Sequence, residues 1–398
     1  MRSQTEDSEL LKTATARREH ELLLLCSRVK VSDDAARRIK TLAAEAIDWD
    51  YIFQLAQRHA VLPLLHRQLN ACAPDSLPRA FRQKLATRFR ENATRNILLT
   101  AELLKIVKLF EDEGVAVLAY KGPALAAVAY GDVALRRFVD LDVIVRKADV
   151  RRAGALLHAL GYETACSLTE SQEEMLLRTQ HNLAFTRDGG KMIVEVHWNV
   201  AARQFASVAV DEGSWRRAVA VALRGGEVRS LSPEELLVAL CVHGTKHLWE
   251  RLAWVCDVAE LLNSTARFDW YRVADLAEGA RVERMVRLGL RLAWELLGAR
   301  MPEGVRRLVC GDETVGRLER KVVERLFEGA EHEPAGLVQS VSFNLRARKR
   351  LREKVRYVRF VFRPTDGDLA SVRLPPRLTF FYYLLRPLRL LRKGAAHH

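Results

Sequence analysis

Cysteine is scarce and scattered. The six residues, Cys26, Cys72, Cys166, Cys241, Cys256 and Cys310, form no CxxC pair and no Cys/His group at ligand spacing. This excludes a disulfide framework and a structural zinc site, and suits core thiols in a reducing compartment. Long apolar runs are also missing: no stretch approaches the roughly 20 apolar residues of a membrane-spanning helix. The first residues, MRSQTEDSELLK, are polar and acidic where a secretion signal would be basic and then apolar. These absences lead to the expectation of a cytoplasmic protein. Acids are scarce in one region only. Residues 341–398 hold fifteen Lys or Arg against Glu353, Asp366 and Asp368, which leaves +2 of the net +14 for residues 1–340. The basicity is therefore a property of the tail. What remains, 398 residues at 49% hydrophobic composition, is enough for two or three domains with real cores.

Apolar positions recur at three and four through ELLLLCSRV, IFQLAQRHAVLPLLHRQL and ILLTAELLKIVKLFEDEG, so residues 8–110 read as helices, with Gly114 as the final cap. The period then changes. VAVLAY is a strand, Gly122-Pro123 a turn, ALAAVAY a helix, LDVIV a second strand, and KADVRRAGALLHALGY an amphipathic helix. A hairpin follows, HNLAFTR and KMIVEVHW around Asp188-Gly189-Gly190. From Ser232-Pro233-Glu234-Glu235 to about residue 340 the chain is helical again. The fold class is α+β: a helical region over 1–113, a small mixed-sheet core over 114–205, a second helical region over 206–340 and the basic, aromatic tail over 341–398.

The chemistry concentrates in the core. Asp140 and Asp142 alternate along a strand, and alternation in the hairpin puts Glu195 and His197 on one strand face. Acids are poor strand formers and expensive to bury, so such a group needs something to hold. Oxygen ligands of this kind suit two hard divalent cations and phosphoryl or nucleotidyl transfer. Lys121 and Gly122 end the preceding strand, where a phosphate can approach the backbone, and Arg136 can reach the same phosphates. Blander readings stand beside these. The acid pair could be a solvated strand end, Glu195 a cross-strand ion-pair partner, and His197 a hydrogen-bonding group beneath the site. In HGTKHLWERLAW, His243 and His247 have zinc spacing but no evident third ligand. Lys246, His247 and Arg251 can instead face the cleft and meet phosphate, or be the solvated side of a packed helix.

KGPALAAVAYGDVALRRFVDLDVIV, then HNLAFTRDGGKMIVEVHW, then LSPEELLVALCVHGTKHLWERLAWVCDVAEL resemble the bacterial nucleotidyltransferase family of the DNA polymerase β-like superfamily. The resemblance extends to DWDYIFQLAQRHAVLPLL and to LPPRLTFFYYLLRPLRL in the tail. It implies Asp140, Asp142 and Glu195 as ligands of two Mg²⁺ ions, with Mn²⁺ as a substitute, and Gly122 as the turn glycine. It also implies transfer of a nucleoside monophosphate from a nucleoside triphosphate such as ATP to an acceptor, with release of pyrophosphate. Two departures are visible: Pro123 replaces the usual serine or glycine, and the interval from Gly122 to Asp140 is long. The alternatives are phosphoryl transfer on the same metals and a catalytically idle nucleotide-binding scaffold. The sequence does not identify the acceptor, which could be a small molecule, peptide or protein. For the tail, the readings are a segment folded back on the body, a peripheral contact with anionic lipid at the inner face of the membrane, or, third, a nucleic-acid patch.

Overall fold

The computed structural model describes residues 16–164, 170–328 and 335–362. Five helices come first: α1 (Arg18–Cys26), α2 (Asp33–Ala43), α3 (Trp49–Arg58), α4 (Leu62–Cys72) and α5 (Arg79–Asp112). Side-chain oxygens of Ser32 and Asp48 cap α2 and α3 by accepting from the backbone of Ala35 and Tyr51. At 34 residues, α5 is about 50 Å long. It stops at Gly114, whose φ of 69° and N–H to the Glu111 carbonyl make a left-handed cap.

The α/β core comprises β1 (Val117–Ala119), α6 (Gly122–Leu125), β2 (Leu141–Val145), α7 (Val150–Ala159), β3 (Glu163–Thr164), α8 (Glu170–Thr179), β4 (Asn182–Arg187) and β5 (Met192–His197). Its five strands lie in the order β1-β2-β5-β4-β3. The sheet is mixed: β2 and β5 are parallel, with Asp142 opposite Glu195, and every other pairing is antiparallel. A helix α9 (Glu212–Arg217) leads to a separate two-stranded hairpin, β6 (Val219–Leu223) and β7 (Gly226–Ser230). The sequence reading missed this hairpin, although the Gly225-Gly226 pair between two short alternating runs is a turn signal.

Eight helices complete the described chain: α10 (Pro233–Lys246), α11 (Leu252–Ser264), α12 (Trp270–Ala280), α13 (Glu283–Leu297), α14 (Glu303–Cys310), α15 (Glu313–Phe327), α16 (Leu337–Arg346) and α17 (Leu351–Val361). The basic run that starts the tail does not lie along one helix, since α16 ends at Arg346 and α17 begins at Leu351. Between them Arg348 is 2% exposed. It donates to the Phe205 carbonyl at 2.8 Å and stacks on Tyr357, so this tail cation is committed to the protein and not to a lipid surface. Residues 363–398, and with them most of the proposed membrane-contact segment, lie outside the described residues. Among the described residues no helix is long and apolar enough to cross a membrane.

The sheet has two unlike faces because its side chains alternate. Leu141, Val143 and Val145 of β2, with Val194 and Val196 of β5, bury against Phe110 of α5 and Leu157 of α7. The opposite face carries Leu118, Tyr120 and Ile144 into the helical core, and Asp142, Glu195 and His197 with them. Packing in the helical layer is tight where α10 turns into α11. Trp249 is wholly buried, and a Cβ on Gly244 would lie 2.6 Å from three of its ring atoms. Gly244→Ala is therefore expected to cost about 1–3 kcal/mol through overpacking, read as a lower urea midpoint. An unchanged midpoint would show that the two helices separate freely.

Candidate active site

Lys121, Asp142, Glu195 and His197 converge because β1 and β5 flank β2. Asp142 and Glu195 are directly paired across the parallel strands, and His197 lies two residues beyond Glu195 on the same face. The imidazole Nε2 of His197 sits between the carboxylates, 2.9 Å from Asp142 Oδ1 and 3.1 Å from Glu195 Oε2. Lys121 Nζ donates to Asp142 Oδ1 at 3.3 Å, and Asn182 Nδ2, from the neighbouring β4, donates to Glu195 Oε2 at 2.8 Å. The Tyr120 ring meets His197 edge-on at 5.3 Å.

These contacts set the charges. Burial alone would raise the Asp142 carboxyl, but Lys121 and His197 more than offset it and hold the group well below the usual carboxylate range. Glu195 is lowered chiefly by its hydrogen bond to His197. Burial opposes the charged form of His197, and its bonds to Asp142 and Glu195 overcome that, so its pKa rises. Asp140 moves the other way, raised by burial and by the charge of Asp142.

Asp140 stands just outside the strand. It precedes β2, whose first ladder residue is Leu141, and lines the same cleft. Asp142, Glu195 and His197 are the side chains whose ligand atoms lie within 4.8 Å of one another. Two carboxylates and an imidazole fit a divalent cation: oxygen donors suit Mg²⁺ and Mn²⁺, and the added nitrogen is better matched to Mn²⁺ than to Mg²⁺. Gly122 holds the approach. Its φ is +50°, and a Cβ there would come within 3.3 Å of the Asp140 carbonyl, so a side chain at this position would strain the start of α6 against the acid loop.

The loop from α6 to Asp140 is fastened on both sides. Asn96 of α5, fully buried, donates to the carbonyls of Val133 and Arg136, and Asn92 donates to that of Ala134. From the opposite layer Asp257 of α11, 2% exposed, accepts from Tyr130 Oη at 2.7 Å and from Arg136 Nε and Nη2 at 2.7 and 2.9 Å. Arg136, read from the sequence as a phosphate contact, thus lines the cleft with its guanidinium engaged by Asp257. Sequence reasoning missed Asp257, Tyr130 and the two asparagines. A signal existed for one of them: Asp257 is a lone acid within the apolar stretch LAWVCDVAELL, which demands a buried partner.

The acid face opens on a cleft of about 1090 Å³ between the sheet and the helical layer. Lys246, His247 and Arg251, with His243 and Trp254, line its far wall, so the structure brings these residues to the same space as the acids. Lys246 is lowered by burial and by Lys121, while Glu195 and Asp142 pull it back up. The rings of His243 and His247 are 4.7 Å apart, each against Trp254, and no third metal-ligating side chain joins them among the described residues. His181 also faces the site, its ring 5.8 Å from that of His197 and its Nδ1 buried without a partner.

Residues 45–298, well over half of the chain, match a family described as uncharacterised nucleotidyltransferase. No curated protein matches the chain. Among solved structures, an antigenic nucleotidyltransferase-like protein from Paracoccidioides brasiliensis aligns with 53% of this chain and 95% of its own, at 14% identity and a TM-score of 0.29. So weak a superposition carries no information about the chemistry of this cleft.

Proposed function

Because the chain belongs to a family of uncharacterised nucleotidyltransferases, we propose that its cleft transfers a nucleoside monophosphate from a nucleoside triphosphate to an acceptor hydroxyl or amine. The observation that carries this reading is one cluster, Asp142, Glu195 and His197 within 4.8 Å, on the floor of a cleft walled by Lys121 and Lys246. Asp142 and Glu195, with His197 and with Asp140 from the adjoining loop, are the residues that would hold divalent cations, Mg²⁺ or Mn²⁺. When bound, such ions supply Lewis-acid stabilisation of the transferring phosphoryl group and make the acceptor hydroxyl easier to deprotonate.

The chain's own residues do the rest. Lys121 and Lys246 hold the triphosphate as point charges, and the backbone at Gly122 allows a phosphate close approach. Glu195 is placed to take the proton of the acceptor. The acceptor oxygen bonds to the α-phosphorus, the bond from that phosphorus to the bridging oxygen breaks, and pyrophosphate leaves. The helical wall narrows the cleft over the acids.

The test is to incubate the protein with Mg²⁺, a cell extract and triphosphates labelled separately at the α and γ phosphates. The α label is expected on the acceptor with stoichiometric pyrophosphate, and EDTA is expected to stop both. A γ label on the acceptor would assign phosphoryl transfer instead. Triphosphate binding without label transfer in extracts from several sources would leave an idle binding scaffold.

A further inference from the structure

Six cationic side chains line the cleft, and they are not equivalent: Arg58, Lys121, Arg136, Arg137, Lys246 and Arg251. Arg58 donates to the carbonyls of Glu328 and Leu326, Arg136 is held by Asp257, and Lys121 by Asp142. Lys246 feels the charges of Asp142 and Glu195 and belongs with the acid cluster. Arg137 and Arg251 are different. Both are exposed at the mouth, Arg137 from the loop that ends at Asp140 and Arg251 from the turn that begins α11, where its guanidinium lies 5.7 Å from the Trp254 ring centre. Arg95 of α5 reaches the Val139 carbonyl in the same loop. Burial lowers the Arg137 pKa, and the like charges of Arg251, Arg95 and Arg88 lower it further, although Arg88 is itself paired with Glu91 at 2.9 Å.

Three separate elements, α5, the acid loop and the α10–α11 turn, thus bring arginines to one opening. Like charges gathered this way repel unless an anion neutralises them, and the planar guanidinium fork is the side chain best matched to phosphate oxygens. There is also room. The cleft of about 1090 Å³ lies at the top of the range, roughly 300–1,000 Å³, usual for small-molecule sites, which leaves space for a small acceptor beside the triphosphate. The two arginines that line the opening, Arg137 and Arg251, suit a single phosphate ester better than a nucleic-acid backbone with charges repeating along its length.

We propose that Arg137 and Arg251, with Arg95 behind them, form the acceptor site, and that the acceptor is a small molecule carrying a phosphate ester near its attacking hydroxyl. The assignment rests on reading the acid cluster as the nucleotidyl-transfer centre. The experiment is calorimetric titration of inorganic phosphate into the full chain, with Mg²⁺ and a non-hydrolysable triphosphate analogue already bound. Phosphate is expected to bind the wild-type protein under these conditions. Arg137→Ala combined with Arg251→Ala is expected to weaken that binding at least tenfold, with partial recovery when both are lysine. Equal phosphate affinity in the double variant, no phosphate binding to the wild type, or displacement of phosphate by the analogue would each overturn the proposal. So would a mixed-sequence single-stranded oligonucleotide that binds the same arginines at least a hundredfold more tightly than phosphate, since the mouth would then belong to nucleic acid. If the analogue does not bind while phosphate binding still depends on the arginines, the transfer reading fails and the anion site stands.

Discussion

Asp142→Asn is expected to reduce nucleotidyl transfer on the order of 10³-fold, about 4 kcal/mol of transition-state stabilisation, while leaving the fold in place. Asparagine matches aspartate in volume but carries no charge, and Asp142 is the acid to which Lys121 and His197 both bond. Removing it takes away a cation ligand and the anchor that aims Lys121 into the cleft. The fold should survive because Lys121 borders open space and His197 keeps Glu195 as its partner. Two readouts separate chemistry from damage. Pyrophosphate release should collapse and Mn²⁺ binding, followed by electron paramagnetic resonance, should weaken, whereas the thermal midpoint should move by only a few degrees. A variant that retains full turnover would end the metal-centred reading of the cluster.

Asp257→Ala should have the largest effect on stability, about 3–5 kcal/mol, because it strands a buried guanidinium without its partner. Arg136 is 11% exposed at the side chain and spends two donors on Asp257, and Tyr130 spends its hydroxyl there as well. Urea unfolding should show a midpoint lowered by that loss divided by the slope, with the slope itself unchanged. A loss under about 1 kcal/mol would mean that water or a neighbouring group replaces the carboxylate. The same variant bears on activity by another route. The residues that Asp257 grips lead into Asp140, so protein that still folds should bind divalent cations more weakly.

What could be read from the sequence was what alternation and turns encode. The strand LDVIV, the hairpin ending at His197 and the shared face of Glu195 and His197 all follow from period-two patterning, and the structure has them. Asp140 stands one residue before that strand, and alternation gives it the face of Asp142 without saying whether it enters the ladder; the first paired residue is Leu141. Arg136 was read as a free phosphate contact because its partner lies 121 residues away, and no local spacing encodes that meeting. His197 could be placed near the acids but not between them, since the parallel pairing of β2 with β5 is a tertiary fact. Arg251 is legible as a cleft residue, but its meeting with Arg95 and Arg137 is not, because the three come from distant segments.

The unlike faces of the central sheet keep two kinds of selection apart. Mutational drift at Leu141, Val143, Val145, Val194 or Val196 is felt by the core beneath α5 and α7, while change at Asp142, Glu195 or His197 is felt in the cleft. None of these strand positions serves both masters. A lineage could therefore exchange what the cleft accepts by altering its helical wall and mouth, and leave the side of the sheet that specifies the fold untouched. In such a lineage, sequence divergence should gather on the walls and stay low beneath the floor.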